Sequence, residues 1–238
     1  MVANKNILLP SAIMLNQAKT LEELEKQVIS LNNEMFPNHN LATILGNGRR
    51  EKPRFAFVFI NPTHKNISSR KEWQGPRFPF IGTRQVWRVF YNAGLFDKAL
   101  IDGINKNAEW SLGFTSKVLE FLDSKSFYFT NLVKFTGNNA ELPDSAKIQM
   151  FLPLLKRELE LLQPKFIVTF GLLPFESLTE RKIKLQEYYT NALKRNELEF
   201  FEAKINSFKA KIIPCYFPVG RGNPKRAIEM LKMLQTLE

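Results

Sequence analysis

Short apolar runs that stop abruptly at turn-forming residues constrain this chain more than anything else in it. Arg54–Ile60 (RFAFVFI) ends at Asn61-Pro62, and Phe166–Phe170 (FIVTF) ends at Gly171. Ser126–Val133 (SFYFTNLV) is a third run of the same kind. Five to eight nearly continuous apolar residues cannot belong to a strand with one wet face. They are the pattern of strands buried on both faces of a parallel sheet. Glu199–Lys204 and Phe208–Tyr216 read as two further strands joined at Asn206-Ser207.

Between the runs lie helical patterns. Thr20 to about Asn33 has Leu21, Leu24, Val28 and Leu31 on one face, with Thr20 and Glu23 spaced as a capping box. Thr83–Ala93 carries an apolar stripe of Val86, Val89 and Phe90. Pro143–Gln163 is expected as two helical pieces, because Pro153 can start a helix but disrupts an interior. Thr179–Asn196 reads as a charged, solvent-facing helix. Asn223-Pro224 makes an N-cap and first-turn pair for a last helix holding Ile228, Leu231 and Leu234 inside. Strands and helices in this alternation predict an α/β fold, a three-layer α/β/α sandwich around a central, mostly parallel sheet of about four strands.

In such sheets ligands bind at the carboxyl ends of the strands. Asn61–Lys65, Asn131–Lys134 and Phe217–Asn223 all fall there, and each polar segment interrupts a hydrophobic run. The partner is suggested by charge. Lys and Arg number 34 against 23 acidic residues, a net charge of +11, which attracts polyanions and nucleic acid above all; a basic surface that only aids solubility is the alternative. The single cysteine, Cys215, leaves no disulfide framework and no cysteine cluster for zinc or an iron–sulfur centre, and fits a reducing cytoplasm. No apolar run is long enough to span a membrane, and Met1–Asn16 lacks the layout of a secretory signal. A Walker loop and a dinucleotide GxGxxG fingerprint are both missing, which argues against a nucleotide-handling enzyme.

Five blocks, in order, resemble the uracil-DNA glycosylase superfamily. Leu41–His64 (LATILGNGRREKPRFAFVFINPTH) is similar to the opening of its bacterial and archaeal members, where a GxG loop precedes a buried strand that ends in the catalytic loop. Its INPT also resembles the GINPG loop of the mismatch-specific thymine/uracil glycosylases. Arg77–Leu95 (RFPFIGTRQVWRVFYNAGL) resembles the next segment of that group, and Phe129–Phe135 (FTNLVKF) the TNVVK strand. Leu152–Gly171 is similar to the family's long helix and following strand, and Pro214–Pro224 (PCYFPVGRGNP) to its DNA-inserting loop. The likeness covers about residues 41–235. It implies a single glycosylase-like domain over 1–238, with residues 1–40 as a helical extension packed on it. Two departures stand out: the clustered cysteines of the iron–sulfur branch are absent, and Phe217 stands where most branches open the insertion loop with His.

The resemblance implies a monofunctional repair enzyme: a monomer without cofactor or metal that acts on DNA containing uracil or another deaminated base, away from membranes. Cleaving the N-glycosidic bond requires stabilising a cation-like sugar and an anionic leaving base, with the base flipped out of the duplex. Asn61 falls at the position of the water-positioning Asp or Asn; its alternative role is to cap a turn. Thr63 takes the place of a Tyr that blocks the thymine methyl in some branches, so exclusion of 5-methyl bases is expected to be leaky. His64 matches the His of the DPYH form of this loop, which implies a catalytic role beside Asn61, or is a surface His. Phe80 matches the aromatic on which the flipped base stacks, or is a core residue. Asn131 suits reading uracil, since its amide can donate to O4 and accept from N3–H, a pair that cytosine presents in reverse; the alternative is a polar strand end. Gly220, Arg221, Gly222 and Asn223 make a flexible loop for entering the duplex or holding phosphate. A member that binds damaged or single-stranded DNA without cutting it is the competing reading.

Overall fold

In a computed structural model, residues 18–107, 109–139, 141–220 and 222–237 are described. Of the extension expected over residues 1–40, residues 1–17 lie outside those described. Six strands form one sheet: β1 (Asn47–Gly48), β2 (Phe55–Phe59), β3 (Phe127–Asn131), β4 (Phe166–Phe170), β5 (Phe201–Ile205) and β6 (Phe208–Cys215). Their order is β1-β3-β2-β4-β6-β5. The four central strands are parallel, and the two edges, β1 and β5, are antiparallel to their neighbours. The expected parallel core is therefore present, and the sheet is larger than about four strands because a two-residue strand and a hairpin close its sides. Every residue of β2, β3 and β4 is buried, as strands covered on both faces must be.

Eight α-helices supply the covering layers among the described residues: α1 (Leu21–Met35), α2 (Gln85–Asn92), α3 (Lys98–Lys106), α4 (Leu112–Ser124), α5 (Ser145–Leu162), α6 (Leu172–Thr179), α7 (Leu185–Arg195) and α8 (Pro224–Met233). Alternation along each strand divides the core in two. Phe55, Phe57 and Phe59 of β2, with Phe127 and Phe129 of β3, face one layer, which α2, α3, α4, α7 and α8 cover. Ala56, Val58 and Tyr128 face the other, which α1, α5 and α6 cover. Phe57 sits amid an aromatic cluster, its ring centroid 5.0 Å from Phe90, 5.2 Å from Phe127 and 5.1 Å from Phe129. Such rings gain edge-to-face and offset contacts beyond their burial.

Two helical expectations need correction. Pro143–Gln163 does not break at Pro153: Ser145–Leu162 is one helix with the proline inside. The ring removes one intrahelical bond, at a cost of about 3 kcal/mol. Against that, Met150 and Phe151 before it and Leu154, Leu155, Leu159 and Leu162 after it are buried on the same face. Each large side chain gains roughly 1.5–3 kcal/mol by burial, so keeping the stripe continuous wins. Conversely, Thr179–Asn196 is not one helix. α6 ends at Glu180, whose φ of 58° is left-handed, and α7 starts only at Leu185. The break is forced by burial: Phe175 and Leu178 of α6 pack on one face of the sheet, whereas Tyr188, Tyr189 and Ala192 of α7 pack on the other. Those three buried residues also mean that α7 is not simply solvent-facing.

The β5–β6 hairpin is pinned at its turn. Glu160 of α5 accepts hydrogen bonds from Ser207 N (3.0 Å), Ser207 Oγ (2.5 Å), Asn206 Nδ2 (3.0 Å) and Arg157 (2.6 Å). Burial pushes its carboxyl up, but these donors overcome burial and hold it at about 2, below the ordinary 4.5. A carboxylate depressed in the fold stabilises above its unfolded value and loses that contribution as pH falls through the folded one. Glu160→Gln is therefore expected to cost roughly 1–2 kcal/mol at neutral pH. The deficit relative to wild type should close as pH falls from about 4.5 towards 2, followed by urea unfolding; a deficit independent of pH would show that the carboxylate charge is not what pins the turn.

Candidate active site

Parallel strands end on one side, so the segments after β2, β3 and β6 meet at a common edge. Backbone bonds zip the first two together there. Leu132 N donates to Phe59 O (2.8 Å), Val133 N to Ile60 O (3.0 Å), Gly137 N to Pro62 O (2.9 Å) and His64 N to Gly137 O (3.0 Å). Asn61 and Thr63 thus stand beside the β3 loop: Thr63 forms a bridge with Gly137, and Asn61 Nδ2 donates to Pro62 O at 3.3 Å and to Glu141 O at 3.5 Å. Both side chains are half-buried, and His64 is exposed.

Asn131, the last residue of β3, is 0% exposed, and neither its Oδ1 nor its Nδ2 has a hydrogen-bond partner among the described residues. A buried amide left unpaired costs about 1–3 kcal/mol, so such a group calls for a reason. By strand alternation Asn131 shares a face with Phe127 and Phe129, and its register partner across the sheet is Phe59. The Phe59 ring lies 4.6 Å from that of Phe80, nearly edge-on at 74°. Phe80 is half-buried and has a φ of 72°, a left-handed conformation that non-glycine residues rarely hold. Three donors fix it there through its carbonyl: Trp87 Nε1 (3.0 Å), Thr83 N (3.1 Å) and Thr83 Oγ1 (2.9 Å). Local strain of this kind, held in place by its surroundings, is concentrated at functional sites. The segment leading to Phe80 is organised by Arg77, which donates to the carbonyls of Ser68, Arg70, Lys71 and Trp73.

The loop after β6 closes the third side. Asn223 N donates to Phe217 O and Gly222 N to Val219 O, both at 3.0 Å. Gly222 lies so close under the Phe217 carbonyl that any side chain would overlap it, whereas Gly220, with a φ of 61°, borders open space. Asn223 caps α8 by accepting from Arg226 N at 3.2 Å. Arg221 lies outside the described residues. The stems of the loop are clamped: Arg226 donates to Tyr216 Oη (2.9 Å) and to Gln186, and its guanidinium lies over the rings of Tyr189 (5.0 Å) and Tyr216 (5.3 Å).

A buried ionic network that the sequence pattern did not announce lies behind β3. Lys134 Nζ meets Glu158 Oε2 at 2.6 Å, with side chains 2% and 6% exposed. The ammonium also donates to Thr130 Oγ1 and to the main-chain oxygen of Asn131 (2.9 Å). Glu158 accepts further from Tyr128 Oη (2.9 Å) and Thr130 Oγ1 (3.1 Å). Burial and then the Glu158 charge push the Tyr128 hydroxyl well up, so it remains a donor. Burial also lowers the Lys134 ammonium, while Glu158 beside it acts in the opposite direction. The signal was present in the sequence as one acidic residue, Glu158, on the otherwise apolar stripe Leu154–Leu162. Among the described residues, no three His, Cys, Asp or Glu side chains converge as metal ligands would, and no helix is long and apolar enough to cross a membrane.

A search of curated proteins finds no match to the chain. The sequence model of the uracil DNA glycosylase superfamily matches residues 45–238, which include every strand of the sheet and all three loops at its carboxyl edge. Membership carries with it DNA glycosylase chemistry on a DNA substrate. With its mostly parallel sheet between two helical layers and its match over most of its length, the chain belongs to the uracil DNA glycosylase superfamily.

Proposed function

We propose that the protein is a monofunctional DNA glycosylase that flips a deaminated base, uracil foremost, out of DNA and hydrolyses its N-glycosidic bond, the first step of base excision repair. In this reading it works as a monomer in the cytoplasm, without metal or cofactor. The observation that carries the proposal is Asn131: a fully buried carboxamide with no partner among the described residues, on the sheet face towards which Phe80 is held. A uracil edge supplies what that amide lacks, an acceptor at O4 and a donor at N3–H. Phe80 then offers a ring for stacking, and Thr63, small and half-buried, presents little bulk against a 5-methyl group.

Asn61 is assigned to the water. Its Nδ2 is turned to the Pro62 and Glu141 carbonyls, which leaves Oδ1 to accept from a water molecule. The water oxygen bonds to the anomeric carbon as the carbon–nitrogen bond breaks. The base leaves as an anion, the bound water sheds one proton to solvent, and the base takes one up, so that the sugar keeps OH and the base H. An amide orients water but is a poor general base, so the enzyme is expected to be slower than one with a carboxylate there. His64, exposed beside this loop, is the second residue assigned to the catalytic step. Gly220, Arg221, Gly222 and Asn223 are assigned to the duplex, Arg221 to fill the gap left by the flipped base and the capped start of α8 to meet a phosphate. The net charge of +11 favours the encounter.

The direct test is purified protein against duplex and single-stranded oligonucleotides containing uracil, hypoxanthine, xanthine or mismatched thymine. Free uracil is expected, in larger yield than the other bases. Tight binding with no base released from any of them would replace this reading by that of a damage-binding protein, which Phe217 in place of the usual His favours. Within the enzyme, Asn61→Ala should lower single-turnover cleavage by roughly tenfold or more with little change in DNA affinity. Asn131→Leu should abolish uracil release and yet raise the stability of the free protein by about 1–2 kcal/mol, since it removes an unpaired buried amide. The urea midpoint reads that gain, and a lower midpoint would show that the amide is satisfied in the free protein.

A further inference from the structure

The carboxamide of Asn131 touches no protein donor or acceptor among the described residues, so its own hydrogen bonds cannot orient it. What holds the residue is its main chain, and the one side chain bonded to its carbonyl among the described residues is Lys134. We propose that Lys134, anchored by Glu158, is the positioning residue that sets the direction of Asn131 towards the base; this rests on the reading of Asn131 given above. An ammonium has three protons, and those of Lys134 meet three acceptors: Thr130 Oγ1, Asn131 O and Glu158 Oε2. The bond to Asn131 O spans three residues and so closes the turn that ends β3, fixing the peptide from which the amide projects.

Stability alone does not call for a charged pair here. A buried pair replaced by matched neutral groups is often no less stable, whereas positional specificity is a purpose that such pairs serve in some proteins. Part of the seal over the pair comes from outside the matched family region, from α1. Leu21, Leu24, Glu25 and Val28 of α1, with Leu45, cover Tyr128, Lys134 and Glu158 and leave a residual space of about 10 Å³. That is too little for more than a single water. Glu25 and Arg50, paired with each other at 2.7 Å, are further charges facing this network among the described residues.

The test compares wild type with Lys134→Met/Glu158→Gln, in which both charges are gone but the introduced amide can still accept from Tyr128 and Thr130. Two quantities are read: single-turnover uracil release, and the side-chain amide signals of Asn131 in ¹⁵N spectra, assigned with Asn131→Ala. The variant is expected to keep its affinity for abasic product DNA within about twofold, to release uracil about tenfold more slowly, and to show shifted or broadened Asn131 amide signals. Wild-type release with unmoved signals overturns the proposal. Where the paired variant does not fold, Glu158→Gln decides, because the ammonium loses its anchor and the same signals should move; if they stay, the proposal falls. A wild-type protein that releases no base from any oligonucleotide counts against the glycosylase reading, while the amide signals still judge the role of Lys134.

Discussion

Four parallel strands with both faces covered impose one condition on everything else in this fold: the polar ends of all four must be resolved at the same edge. The interior offers no water to the backbone there, so the groups must find one another. They do so loop to loop. Phe59, Ile60 and Pro62 give their carbonyls to Leu132, Val133 and Gly137, and the β3 loop is bound on its other side by Ile44 N to Lys134 O and by Thr136 Oγ1 to Ala42 O. The site is thereby assembled from main chain first. Asn61, Thr63 and Asn131 inherit their places from a ladder that continues past the strands, whereas Phe80 and the loop after β6 arrive from separate segments.

The end of β3 separates two kinds of buried polarity by a single residue. Tyr128 and Thr130 point to the α5 side and are fully engaged with Glu158, whereas Asn131 points to the opposite side and is engaged with nothing described. A period of two residues makes this possible without a bulge or an irregular turn. The saturated side contributes a fixed backbone, and the unsaturated side contributes unused hydrogen-bonding capacity. A polar group satisfied within the protein has little left for a ligand, so the two roles could not both be met on one face.

The strands were legible because continuous apolar runs have few alternatives in a chain of this size, and Phe166–Phe170 is reproduced residue for residue. The Asn206-Ser207 turn and the Asn223 cap were legible because those residue types act locally. What stayed hidden depended on partners remote in sequence. α3 contains Gly103, a poor helix former, and its missing side chain is explained only by the Phe114 ring of α4 lying where a Cβ would be. The Lys134–Glu158 pair joins residues 24 apart in sequence. The left-handed backbone at Phe80 carries no sequence signature, since it is imposed by Trp87 and Thr83 on an ordinary phenylalanine. The break between α6 and α7 likewise becomes visible only once the two faces of the sheet are known.

Trp87 joins this site to a property of quite another kind. Its indole nitrogen holds the Phe80 carbonyl, its ring lies 5.5 Å from Phe129 and 5.6 Å from Trp110, and it is fully buried. An indole in a dry, rigid setting emits light whose wavelength and yield follow its hydrogen bond and its neighbours. The chain has only three tryptophans, and two of them are this coupled pair. Any displacement of the Phe80 backbone therefore acts directly on one of the three indoles of the protein. The fold has in effect wired an optical gauge to the strained backbone at Phe80.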